Sequence, residues 1–101
     1  MPVKLLAALA DPTRLGAMQI LWDHGEHCAC ELLDRLSATQ SRLSRHLGVL
    51  KAVGLVVDRR DAQWVRYRIN PDLPPETEAI VAAVLAARNT AAAPERERNV
   101  A

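Results

Sequence analysis

Leu32-Leu33-Asp34-Arg35-Leu36-Ser37-Ala38-Thr39-Gln40-Ser41-Arg42-Leu43-Ser44-Arg45-His46-Leu47 holds two apolar patterns with a polar break between them. On the near side, Ala29, Leu32, Leu33 and Leu36 recur at i, i+3, i+4, i+7, the stripe of a helix two to three turns long. On the far side, Leu43, Leu47 and Leu50 are the buried stripe of a second helix. The link runs only from Ser37 to Gln40; Ser37 with Gln40 fits a capping box, and Thr39 is an alternative cap. Gly54 is the expected left-handed stop of the second helix. Two helices joined this tightly predict a helix-turn-helix.

Downstream, Leu55-Val56-Val57 reads as a strand. Trp64 to Ile69 reads as another, with Val65, Tyr67 and Ile69 on one face and Trp64, Arg66 and Arg68 on the other. The charged loop Arg60-Asp61-Ala62-Gln63 joins them, and Asn70-Pro71 breaks the second strand. Pro74 and Pro75 open a final helix expected to end near Ala87 or Arg88. Its middle, Ala79 to Ala86, is apolar nearly all round, so it is expected to pack on the first helix and on a second subunit. From about Asn89 the residues are small or charged and are expected to be disordered.

Upstream, Leu5, Leu6 and Leu9 form a short helical stripe, Asp11 and Pro12 restart the chain as cap and first helical residue, and Leu15, Met18, Ile20, Leu21 and Trp22 continue it to Gly25. The order is helix, helix, short helix, turn, helix, hairpin, helix. This is a mainly α winged helix-turn-helix with a β-hairpin wing, expected to form a homodimer through its terminal helices. Residues 1–88 are read as one DNA-binding and dimerisation domain and 89–101 as its tail.

The 101 residues suffice for one small domain, and no internal repeats occur. Charge is balanced overall but not locally. Residues 42–68 hold seven basic and two acidic side chains, net +5, and leave the remainder at −4. Such a basic zone suits a duplex-binding surface. No apolar run approaches the length of a membrane span and no secretory pattern opens the chain, so a cytoplasmic location with reduced thiols is expected. A disulfide across Cys28-Ala29-Cys30 is expected to be strained and disfavoured there.

With Leu43 inward, 100° per residue turns Ser41, Arg45 and Gly48 outward and Arg42 to one side. Gln40, Ser41, Arg42, Ser44 and Arg45 are therefore expected to face the major groove of double-stranded operator DNA. In the wing, Arg59, Arg60 and Gln63 are expected at phosphate or the minor groove. Trp64 is open between a wing contact and packing on the body. His46, beside Leu43 and Leu50 on the wheel, reads as a core-edge histidine.

Cys28 and Cys30 are the only cysteines. Two thiolates this close can chelate a soft species such as arsenite, Cd²⁺ or Cu⁺, although isolated cysteines are often only small hydrophobes. On an ideal helix positions i and i+2 diverge by 200°, so gripping one ion is expected to unwind the first turn. That distortion is the expected switch on DNA binding. His24 and His27 nearby are expected to be solvated. The chain has no Cys-x-x-Cys, no strand expected ahead of the cysteine helix and no cluster of acid–base partners, so a thiol enzyme is disfavoured and no cofactor is required. A purely architectural DNA binder is the remaining alternative, and it would show no ligand response.

Five segments resemble the ArsR/SmtB family of arsenic-responsive repressors: Leu9-Ala10-Asp11-Pro12-Thr13-Arg14-Leu15, Cys28-Ala29-Cys30-Glu31-Leu32, Ser41-Arg42-Leu43-Ser44-Arg45-His46-Leu47, Gly54-Leu55-Val56 and Trp64-Val65-Arg66-Tyr67-Arg68. The resemblance covers roughly residues 5 to 88. It implies a homodimeric repressor that leaves its operator when an inducer binds Cys28 and Cys30. Arsenite is the first expectation, with antimonite close; sensing of Cd or Cu, or of thiol redox state, is the alternative. The family's arsenite pattern often adds a third cysteine three residues on, where this chain has Leu33. Water, hydroxide, His24 or His27 could supply a third donor, or the inducer could be methylarsenite, which needs only two thiolates. The last helix carries no His, so the zinc site of other family members is not expected.

Overall fold

The computed structural model describes residues 2–100, and side chains for residues 2–89. By its internal packing the chain divides into two compact units, Met1–Pro71 and Asp72–Ala101. The division falls where Asn70-Pro71 ends the second wing strand.

In the first unit, α1 (Pro2–Leu9) leads into α2 (Pro12–His24). Asp11 caps α2: its backbone is extended and its carboxylate accepts the Arg14 N–H at 3.0 Å, while Pro12 occupies the first turn, where no N–H is needed. That N–H is the largest influence holding the Asp11 carboxyl below its ordinary value of 3.8, with the charges of His46 and Arg14 adding to it against partial desolvation. A carboxyl depressed by folding stabilises the fold fully above its unfolded pKa, and that contribution disappears as pH falls through the folded value. Asp11→Ala is thus expected to cost about 1 kcal/mol near neutral pH and to flatten the acid limb of the stability curve below pH 3.8. Urea unfolding of both proteins between pH 2 and 7 measures this.

Gly25 (φ 79°) and Gly54 (φ 81°) end α2 and α4 in a backbone region that side chains disfavour. The two helices predicted from the apolar stripes are α3 (Ala29–Leu36) and α4 (Gln40–Ala52). Thr39, not Ser37, caps α4, with its hydroxyl accepting the Arg42 N–H at 3.3 Å. Ser37 instead closes α3 in the left-handed region (φ 53°). Leu32, Leu43, Leu47, Leu50 and Leu55 are buried together with Met18 and Leu21 of α2 and Leu5 and Leu9 of α1. Leu6, expected on the buried stripe of α1, is half exposed.

The wing has strands β2 (Val56–Asp61) and β3 (Trp64–Ile69), paired antiparallel with Asp61 opposite Trp64. The expected four-residue loop is therefore a two-residue turn at Ala62 and Gln63, with Ala62 at φ 57°. Arg60 and Asp61 looked like loop because they are charged, yet an exposed hairpin end tolerates charge. A third strand had no counterpart in the sequence reading. It is β1 (His27–Cys28), which pairs antiparallel with β3 on the side away from β2. The expectation that no strand precedes the cysteine helix is overturned; two residues are too few for a visible alternation, and the pairing is with residues far along the chain.

The second unit holds α5 (Pro75–Val100), with Val81 and Leu85 buried. It continues beyond the end expected near Ala87 or Arg88 and includes most of the tail expected to be disordered; Ala101 lies outside the described residues. The alanine run and the Glu/Arg alternation after Asn89 read as disorder by composition, but the same residue types are strong helix formers.

Candidate functional site

Cys28 and Cys30 do not lie on one helix. Cys28 is the N-cap of α3 with an extended backbone (φ −78°, ψ 159°), and only Cys30 is helical. The 200° divergence expected on an ideal helix therefore does not apply. The side chains converge and are joined as a disulfide, with Cα atoms 5.4 Å apart. Two expectations are corrected here: the pair meets with α3 intact, without unwinding, and the sulfurs are bonded to one another rather than free. Glu31 sets this geometry. Its carboxylate reaches back to accept the Cys28 N–H at 2.8 Å, the acidic half of a capping box. The three-residue spacing from Cys28 to Glu31 was a signal for this role that the sequence reading did not use.

Cys28 is buried and Cys30 is exposed. In the sheet, Cys28 lies opposite Arg66, which lies opposite Arg59, so the three share one face. A cleft beside the sulfurs is lined by Glu31, Trp64 and Arg66. The Arg66 guanidinium and the N-terminus of α3 both bring positive potential to the place where thiolates would form on reduction.

His27 lies opposite Tyr67, on the other face of the sheet. It is buried, not solvated as expected, and its Nδ1–H donates to the Gly25 carbonyl at 2.8 Å. His24 is exposed. Among the described residues, no three of His, Cys, Asp and Glu group closely enough to hold a metal ion. Burial pushes the Tyr67 hydroxyl above its ordinary pKa, with the Asp58 charge adding to it.

On α4, Gln40, Ser41, Arg42, Ser44 and Arg45 are all exposed, on the side opposite buried Leu43 and Leu47. His46 is half-buried, and its Nδ1 stands 3.0 Å from Arg14 Nη1 and 3.8 Å from Asp11 Oδ2. Arg14 also donates to the Ala7 and Ala8 carbonyls at the end of α1. Thus one arginine, which sequence reasoning did not single out, ties the end of α1 and the start of α2 to the middle of α4.

In the wing, Arg60, Gln63 and Trp64 are exposed. Arg59 is exposed too, but its guanidinium grips Glu26 with two bonds of 2.8 and 2.9 Å. That bond holds the Glu26 carboxyl below its ordinary pKa, helped by the Arg59, Arg66 and Arg68 charges. The Nε–Nη2 edge of Arg59 can fork onto phosphate only by giving up Glu26. Arg66 is paired with Asp61 at 3.0 Å.

A cavity of about 450 Å³ connects the two regions. Cys28, Cys30 and Leu33 line it on one side, Leu43, Leu47 and Ser44 of α4 on another, and Gln63, Trp64 and Val65 of the wing on a third.

A short helix, a tight turn, an exposed polar helix and a basic hairpin define a winged helix-turn-helix DNA-binding regulator. The family model described as "Bacterial regulatory protein, arsR family" matches residues 11–57. The "Arsenic resistance transcriptional regulator ArsR1" of Pseudomonas putida is 36% identical over 97 residues, 96% of this chain and 76% of that protein. The chain belongs to the ArsR family. The "Arsenical resistance operon repressor" of Escherichia coli is 43% identical over 74 residues, 73% of this chain; the match spans 63% of that repressor's length. Among solved structures, HlyU from Vibrio cholerae superposes with a TM-score of 0.72 at 37% identity, covering 82% of this chain and 86% of HlyU. The homodimeric winged helix-turn-helix domain of Mb0332 from Mycobacterium bovis gives 0.71 at 25% identity, covering 86% and 77%. The family and these neighbours are DNA-binding regulators rather than enzymes.

Proposed function

We propose that this chain is a homodimeric transcriptional repressor that leaves its operator when trivalent arsenic, as arsenite or methylarsenite, or antimonite is bound by Cys28 and Cys30. The observation that carries this reading is the convergence of the two sulfurs at the N-cap of α3, beside a cavity whose other walls are the DNA-facing helix and the wing. The relatives named for arsenical resistance support the inducer class. The homodimeric Mb0332 domain supports the dimer, as do the exposed apolar Val3 and Leu6 of α1 and the exposed alanines 82, 83, 86 and 87 of α5. Operator DNA as partner makes the cytoplasm its place of work.

A cellular thiol reduces the disulfide, and each thiol then displaces one hydroxyl from the arsenic as water. Arsenic held by both sulfurs ties the start of α3 to β1, which is paired with β3 of the wing. The inducer therefore acts on the spacing of α3, α4 and wing rather than by unwinding α3. Coupling of about 1–3 kcal/mol is typical of such switches.

Operator contact is assigned to Gln40, Ser41, Arg42, Ser44 and Arg45, with Arg60 and Gln63 in the wing and Arg59 after release from Glu26. Arg45→Ala is expected to weaken operator binding by about 1–3 kcal/mol, with the dimer intact in sedimentation. Equal affinity on a duplex selected from a random pool would remove Arg45 from the interface. The test of the whole reading is release of that duplex from the reduced protein: arsenite, methylarsenite and antimonite should release it, and Cd²⁺ and peroxide should not.

A second reading, a thiol redox sensor on the same fold, is favoured by the disulfide itself. Release by peroxide in the absence of arsenic would establish it instead.

A further inference from the structure

We propose that Glu26 is an internal competitor for the DNA backbone: it fills the fork that Arg59 would otherwise close on a phosphate, and so holds down the affinity of the wing for duplex DNA. The proposal rests on the reading of the wing as a DNA contact and adds a residue that regulates it.

Glu26 stands directly before β1, and Arg59 lies in β2 at the far edge of the sheet, with β3 between them. The ion pair therefore spans the middle strand. Arg66 of β3 is directly opposite Arg59, and Arg68, two residues on, shares its face. Both are near enough for their charges to act on the same carboxylate. One carboxylate thus sits among three arginines of the sheet.

The contact has the form that arginine offers to a phosphate. Nε and Nη2 donate in parallel to two oxygens of one group, at 2.9 and 2.8 Å. Nη1 takes no part in this fork. A phosphate approaching along the Nε–Nη2 edge meets an occupied site. Once the fork opens, a carboxylate of the phosphate's own sign still stands beside it. The basic zone of residues 42–68 has two acids of its own, and these pair within the zone, Asp58 with Lys51 and Asp61 with Arg66. Glu26 comes instead from 33 positions away. Both side chains of the pair keep contact with water, 28% exposed for Glu26 and 54% for Arg59. An exposed ion pair is weak, so phosphate can displace the carboxylate. Glu26 is a brake on affinity rather than a block.

The test is a double-mutant cycle on the reduced full-length protein, read by fluorescence anisotropy of a labelled duplex of mixed sequence. Phosphate contacts carry no sequence information, so no operator is needed. Glu26→Gln keeps the size of the side chain and is expected to raise affinity roughly two- to fivefold at low salt. Its plot of log affinity against log salt should be steeper by about one, because a freed arginine neutralises one more phosphate. Arg59→Ala should cost less in the wild-type protein than in the Glu26→Gln protein, where it removes the whole gain. A gain that survives Arg59→Ala would be an effect of net charge alone. A Glu26→Gln protein that binds the duplex no better than wild type, or more weakly, would make Glu26 a support for Arg59. Either result would overturn the competitor while leaving the wing as a DNA contact. No binding of the duplex by wild type and variants alike would overturn the reading of the wing as well.

Discussion

Replacing Cys28 and Cys30 together by serine is expected to leave operator binding in place and to abolish its response to arsenicals. The physical reason lies in where the two residues sit. Cys28 is an N-cap, and serine is among the best N-cap residues because its oxygen accepts a helix N–H. Cys30 is exposed on the first turn, where a hydroxyl meets water. Both substitutions keep the size of the side chain, and Glu31 still has the backbone N–H at 28 to accept. The fold at the start of α3 therefore survives, while the two sulfurs needed to hold arsenic are gone. The reduced wild-type protein should lose roughly 5- to 150-fold in operator affinity at saturating inducer, the range set by typical coupling energies. The double variant should lose none of it. Fluorescence anisotropy of a labelled duplex, titrated with arsenite, methylarsenite and antimonite, measures both. Continued release of the double variant by arsenicals would remove the cysteines from the switch. Either single variant should behave like the double one, because one sulfur cannot chelate.

The parts of this site that were legible in the sequence are those fixed by local pattern. The leucine spacing of α4 set its inward face, and with it the exposure of Gln40, Ser41, Arg42, Ser44 and Arg45. The alternation from Trp64 to Ile69 gave β3 to the residue. What stayed hidden depends on partners distant in the chain. Strand β1 exists because His27 and Cys28 find Tyr67 and Arg66, a pairing two residues cannot announce. The Glu26–Arg59 pair joins positions 33 apart and changes the reading of Arg59 from a free phosphate ligand to an occupied one. The convergence of the sulfurs was missed for a different reason. A helical wheel does not describe Cys28, whose extended backbone points its side chain by rules other than those of a helix. The cavity likewise needs α3, α4 and β3 in position at once before it has walls.

Leu50→Ala is expected to have the largest effect on stability. Leu50 is fully buried on the inward face of α4, and its carbonyl accepts the N–H of Leu55, itself fully buried, at 3.0 Å. Removing three carbons from this position leaves a void on the face of α4 that packs against α2, α3 and the start of the wing, which cannot all collapse inward. The expected loss is about 2–5 kcal/mol, a large share of the roughly 5–15 kcal/mol that holds a domain of this kind. Each kcal/mol lowers the melting temperature by roughly 4–8 °C at this size, so the midpoint should drop by about 10 °C or more. Arg45, five residues earlier and on the opposite, exposed face of the same helix, supplies the contrast. Arg45→Ala should move stability by no more than about 0.5 kcal/mol while it weakens operator binding. Far-UV circular dichroism of both variants in urea, at one fixed protein concentration because a dimer's stability depends on it, separates the two faces. If Leu50→Ala cost less than about 1 kcal/mol, the inward face of α4 would not be the anchor of the core. The exposed polar row would then lose the rigid support that lets it be read as a DNA-facing surface.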